Sequence, residues 1–123
     1  MKDYNLFLQK FVQLLTEHQK QGLAARGMTT AGPDPYAYAV SGRKYDRILI
    51  ASGPGSSVRY FIDRATGEIY GARSRLAPNP KWWFGDIFTA HLWDWSDFHG
   101  KPINDNTVRA VGSYAGYIRY MRV

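Results

Sequence analysis

The chain contains no cysteine, which excludes disulfides and thiolate metal centres and leaves packing to supply stability. It also lacks a long apolar run: the longest unbroken stretch, Tyr36–Val40, is five residues, far short of a bilayer span. The first residues, M-K-D-Y-N-L-F-L-Q-K, have neither the apolar segment nor the cleavage site of a signal peptide. These absences lead us to expect an intracellular protein. Acidic residues are few, 10 against 16 Lys and Arg, which sets the net charge at +6. No nucleophile–base–acid triad or paired carboxylates can be read, so a non-enzymatic protein without catalytic residue, metal or cofactor is expected.

What is present is aromatic and basic. The 123 residues fit one domain, and the 45% apolar content is that of a folded globular chain. Aromatics make up 15%, with four Trp and nine Tyr. Guanidinium groups pair with phosphate while aromatic faces stack on bases, so the combination suits nucleic-acid or nucleotide binding. The same aromatics would equally fill the core of a small β-rich protein. The charge is segregated. Arg43 to Arg75 holds seven cations and three acids, whereas Lys81 to Asn106 holds two cations and four acids.

The stretch Ser57–Ser74 predicts a hairpin, with strands Val58–Asp63 and Glu68–Arg73 joined by Arg64-Ala65-Thr66-Gly67. Gly67 supplies positive φ, and Asp63 closes the turn by accepting backbone N–H groups. Upstream, Asp3 caps a helix to about Gln21, with Tyr4, Phe7, Leu8, Phe11, Leu14, Leu15 and His18 forming its apolar stripe. Thr16 is assigned to its water-facing side, and Gly22 or Gly27 would end it. Met28–Asp34 reads as a connector, Pro35–Val40 and Lys44–Ala51 as strands, and Ser52–Ser57 as a mobile six-residue loop. Leu76-Ala77-Pro78-Asn79-Pro80 should not extend a central strand, because proline has no N–H to donate. Asn104–Asn106 would cap a helical turn over Thr107–Val111, and Tyr117–Val123 reads as a terminal strand. The fold expected is α+β: an antiparallel sheet of about five strands packed against the N-terminal helix.

Strand alternation nominates the functional residues. Val58, Tyr60 and Ile62 should face one way, and Arg59, Phe61 and Asp63 the other. If the helix covers the first set, the open face would bring Arg47, Arg59, Arg73 and Arg119 to phosphates and Tyr45, Phe61 and Tyr70 to bases, with either Arg119 or Arg122 completing the row. The alternative is that these arginines simply pair with Asp46, Asp63 and Glu68. Trp82, Trp83, Trp93 and Trp95 are either a satellite core or a partner-binding surface, since Trp dominates interface hot spots. His91, Asp94, Asp97 and His99 are metal-ligand types within nine residues, but in no zinc or nuclease spacing. Ser52–Ser57 is rich in glycine and hydroxyls without the P-loop lysine pattern.

The run Tyr60–Arg73, with Lys44–Ile48 before it and Ser113–Tyr120 after it, resembles a pattern in small uncharacterised tailed-phage proteins. The resemblance leaves the N-terminal helix out. In that pattern the segment after the hairpin is basic and the position of Gly71 is often Lys; here Gly71 and Trp82-Trp83-Phe84 differ. The resemblance implies a phage setting, in the host cytoplasm or the virion, and no established activity. The partners left open are nucleic acid, a small anionic nucleotide, a host or virion protein, and a second copy of the chain. No membrane partner is expected.

Overall fold

The computed structural model describes residues 3–27, 34–103, 108–114 and 117–122. Helix α1 spans Tyr4–Ala25, and the Asp3 carboxylate accepts the Leu6 N–H at 3.1 Å, the N-cap bond expected of that residue. The helix passes the expected stop because Gly22 lies inside it: a Cβ there would collide with the Ser96 carbonyl. Gly27, at φ +68°, follows the last turn and ends it. Thr16 does not face water. Its hydroxyl accepts the Ala37 N–H at 2.9 Å and so ties the helix to the edge of the sheet.

Five antiparallel strands follow one another across that sheet: β1 (Tyr36–Ser41), β2 (Tyr45–Ser52), β3 (Gly55–Asp63), β4 (Glu68–Ala72) and β5 (Pro78–Asp86). The expected α+β architecture is present, but its fifth strand is not the terminal one. β5 takes that place, prolines included, because it is an edge strand, where a missing N–H can be tolerated. The six-residue loop is also absent. Ser52 pairs with Gly55 and Ala51 with Ser56, so β2 and β3 meet at a tight Gly53-Pro54 turn with Gly53 at φ +61°. The central hairpin forms as read: Gly67 has φ +79°, its N–H bonds to the Asp63 carbonyl at 2.7 Å, and the Asp63 carboxylate accepts the Ala65 N–H at 2.8 Å.

After β5 come a 3₁₀ turn (Ala90–Leu92), a small ladder of β6 (Trp93–Asp94) with β7 (Lys101–Pro102), and a hairpin of β8 (Val108–Tyr114) with β9 (Tyr117–Arg122). The expected helical turn over Thr107–Val111 is not formed from Val108 onward, because those residues pair across to β9. Asn104–Thr107 and Met28–Pro33 lie outside the described residues. The terminal strand exists but joins β8 rather than the main sheet.

The core lies between α1 and one face of the sheet. Phe11 and Leu15 of the helix meet Ile48, Ile50, Tyr60, Ile62, Ile69 and Phe84 from four strands. The Trp-rich segment closes one end of it. Trp95 is wholly buried, its Nε1 donating to the Ala90 carbonyl at 2.9 Å and its ring edge-on to Phe11 and Tyr60. Two sets of polar bonds fasten the helix. Near its start, the Tyr4 hydroxyl donates to the buried Asp46 carboxylate at 2.6 Å. Toward its end, His18 Nδ1 accepts the Trp95 N–H at 2.9 Å and Gln19 Nε2 donates to the Trp95 carbonyl at 2.7 Å.

Candidate nucleic-acid interface

The face of the sheet away from the helix is built by register. Arg47 pairs with Phe61, Phe61 with Tyr70 and Tyr70 with Trp83, so one cross-strand row runs over β2, β3, β4 and β5. Directly paired residues share a face, which makes this an arginine–aromatic row. Tyr45 stands beside it, edge-on to Phe61 with ring centroids 6.0 Å apart, and Lys44 lies over the Tyr45 ring at 5.4 Å. Phe61 is only 2% exposed and forms the floor, whereas Tyr45, Arg47, Tyr70 and Trp83 are half-buried and form the surface. Burial and the neighbouring Glu68 carboxylate raise the Tyr70 phenol above its ordinary range.

Arg59 is not on this face. The pairing of β2 with β3 shifts between Ile48 and Leu49, so that Tyr60 opposes Ile48 and Val58 opposes Leu49, with Arg59 as the extra residue. A bulge of this kind reverses the inside–outside order beyond it. Val58 joins the Phe61 side and Arg59 turns to the helix side. There its Nη1 donates to the Phe98 carbonyl at 2.8 Å and its guanidinium covers the Phe98 ring at 4.9 Å. The expected union of Arg59 with Phe61 therefore does not occur.

The remaining nominated arginines sit differently. Arg47 Nη1 donates to the Arg75 carbonyl at 3.2 Å, drawing the exposed loop that carries Arg73 and Arg75 to the aromatic row. Arg119 belongs to β9, which pairs with β8 rather than with a strand of the main sheet. Among the described residues none of Arg47, Arg59, Arg73 and Arg119 forms an ion pair. The acids expected to neutralise them serve other cations: Asp46 is 3.8 Å from Arg64, and Glu68 is 2.9 Å from Arg122. Arg122 also reaches Asp86 at 2.9 Å and lies over the Trp83 ring, whose Nε1 donates to Glu68. It pins the terminal hairpin to the edge of the row, and these carboxylates hold its guanidinium even more firmly protonated.

The four tryptophans do not act together. Trp93 and Trp95 are 1% and 0% exposed and stack at 5.9 Å inside the main core, and Trp82 is buried against Phe84. Only Trp83 offers a ring to solvent. Gly71 explains Trp82: a Cβ there would come within 2.7 Å of the indole, so the absent side chain makes room for the ring. The two departures from the phage-type pattern are thus one packing unit.

No metal centre assembles from His91, Asp94, Asp97 and His99. Among the described residues no group of three or more such side chains could hold an ion. His91 is exposed, and His99 lies against Trp82 and Phe84, where burial and the Arg59 charge push its pKa down to about 4. The Ser96 hydroxyl and N–H hold the Asp94 carboxyl below its ordinary range, and the Phe98 N–H does the same for Asp97. The Gly53-Pro54 turn is followed by a strand, so no helix N-terminus stands there to receive phosphate.

A family model described as "Family of unknown function (DUF7717)" matches residues 2–95. The chain belongs to that family. The match takes in α1, the whole main sheet and the first strand residues of the Trp-rich segment, and stops before the terminal hairpin. It therefore includes the helix that the phage-type pattern leaves out. No curated protein and no solved structure matches the chain. Among the described residues no helix is long and apolar enough to cross a membrane.

Proposed function

We propose that the protein is a non-enzymatic binder of single-stranded nucleic acid, acting through the sheet face opposite α1, in a phage setting in the host cytoplasm or the virion. The observation that supports this most is the row Arg47–Phe61–Tyr70–Trp83, flanked by Tyr45 and by Lys44, Arg73 and Arg75, which among the described residues form no ion pair. Tyr45, Tyr70 and Trp83 give flat surfaces for bases, and Phe61 beneath them keeps the row rigid. Lys44, Arg47, Arg73 and Arg75 follow the phosphates. A sequence-tolerant strand binder needs this division of labour, because every base has a π-face and every nucleotide a charge.

The test is fluorescence anisotropy with a short labelled single strand over a salt series. Four phosphate contacts predict a log–log slope near about −3, a loss of roughly 50-fold between about 50 and 200 mM salt. Tyr70→Ala should weaken binding by about tenfold, within the range for one stacked base. Undetectable binding at low salt, or binding indifferent to salt, rejects the reading.

A further inference from the structure

The bulge that removes Arg59 from the sheet face delivers it to a second place. Between the C-terminal part of α1 and the segment after β6 lies a hollow of about 370 Å³, lined by Gln19, Leu23, Arg26, Arg59, Asp97 and Phe98. We propose that this hollow binds a nucleoside phosphate, with the phosphate between Arg26 and Arg59 and the base against Phe98.

Three features carry the assignment. Arg26 and Arg59 approach the hollow from different elements, and among the described residues neither is within 4.0 Å of a carboxylate, although Asp97 feels the Arg26 charge at longer range. The one acid present, Asp97, is engaged by the Phe98 N–H at 2.8 Å and by Lys101 Nζ at 3.4 Å, so its charge is already answered. The hollow is therefore electropositive. Because the C-terminal end of a helix disfavours an anion, one guanidinium would not suffice, and two give a phosphate its bidentate partners.

Phe98 is the second feature. It is 62% exposed, unusual for a ring of that size, and Arg59 covers it from one side at 4.9 Å. A guanidinium already stacked on a ring presents a flat platform ready for a base. The third is the wall. Gln19 is held by its Nε2 bonds to the Trp95 and Asp97 carbonyls, at 2.7 and 3.3 Å, which leaves its amide oxygen as an acceptor for an exocyclic amine. Leu23 adds an apolar surface beside it. The volume is in the range of small-molecule sites.

A free mononucleotide and the 5′-phosphorylated end of a strand carry the same chemistry. Titrations followed by NMR would use AMP, adenosine, inorganic phosphate, and a short oligonucleotide with and without its 5′-phosphate. AMP should bind at least about tenfold more tightly than adenosine or phosphate, since each of those lacks one half of the recognition. If a strand end is the ligand, the 5′-phosphorylated oligonucleotide should outcompete its 5′-hydroxyl form by a similar factor. Arg26→Met and Phe98→Ala, both at exposed positions, should each weaken AMP by about tenfold, and Arg59→Met by at least as much. Tyr70→Ala should leave AMP binding intact while weakening the oligonucleotide, so failure of this site and failure of the sheet-face reading are separable. Absence of AMP and 5′-phosphate preference alike, or binding unchanged in Arg26→Met and Phe98→Ala, overturns the assignment.

Discussion

The two faces of the main sheet use the same kinds of residue for opposite ends. On the helix side Tyr60, Phe84, Trp93 and Trp95 are sealed against one another and against Phe11, and Trp95 Nε1 donates to the Ala90 carbonyl. On the other side Tyr45, Tyr70 and Trp83 are half-covered, with one buried Phe61 below them and arginines around them. Aromatic richness by itself therefore identifies neither core nor binding surface. What separates them is whether a second layer exists, and α1 with the Trp-rich segment supplies that layer on one side only.

The strongest way to break this contrast is Trp95→Ala. Emptying a wholly buried indole site should cost about 3–5 kcal/mol in denaturant unfolding, and a cost below about 1 kcal/mol would mean that Trp95 is not core. Next is Tyr4→Phe, which leaves the buried Asp46 carboxylate without its 2.6 Å donor and should cost about 1–3 kcal/mol. A smaller effect comes from His99. Its folded pKa near 4 is below the unfolded value of 6.5, so the neutral ring is favoured by folding. Its contribution is full above about pH 6.5 and is lost as pH falls toward 4, by about 1–2 kcal/mol after allowing for partial solvent screening. His99→Phe should flatten that part of the stability–pH curve, and an unchanged curve would remove His99 as its cause. Least of all, Arg47→Met should alter stability by no more than about 0.5 kcal/mol. A large loss there would place the sheet face on the structural side of the comparison.

Much of the architecture was legible because periodicity carries it. The stripe of α1, the alternation in β1 and β2, and the Asp63–Gly67 turn each depend on neighbours close in sequence. β5 was hidden because its prolines argue against a strand, and only its position at the sheet edge makes them acceptable. The reversal at Arg59 was hidden for a different reason. Local alternation continues unbroken through Val58–Asp63, and the extra residue is visible only against the partner strand. Trp83 had no sequence signal as a member of the row, since two register shifts separate β5 from regular pairing with β4. Conversely, the burial of Trp93 and Trp95 matches the period-2 spacing that puts both on one side of an extended segment. That spacing could not say whether the side faced inward.

The fastening of α1 has a consequence for how the chain matures during synthesis. Its anchors are distant in sequence: Tyr4 waits for Asp46, 42 residues on, and His18 waits for Trp95, 77 residues on. At ribosomal speeds of about 5–20 residues per second, the helix spends roughly 4–15 s made but without its second anchor. During that interval the strands that meet Phe11 and Leu15 are made one after another, while the end of the core that Trp95 closes stays open. The time between translation of the helix and arrival of Trp95 is thus the period in which a half-built core is open to other chains.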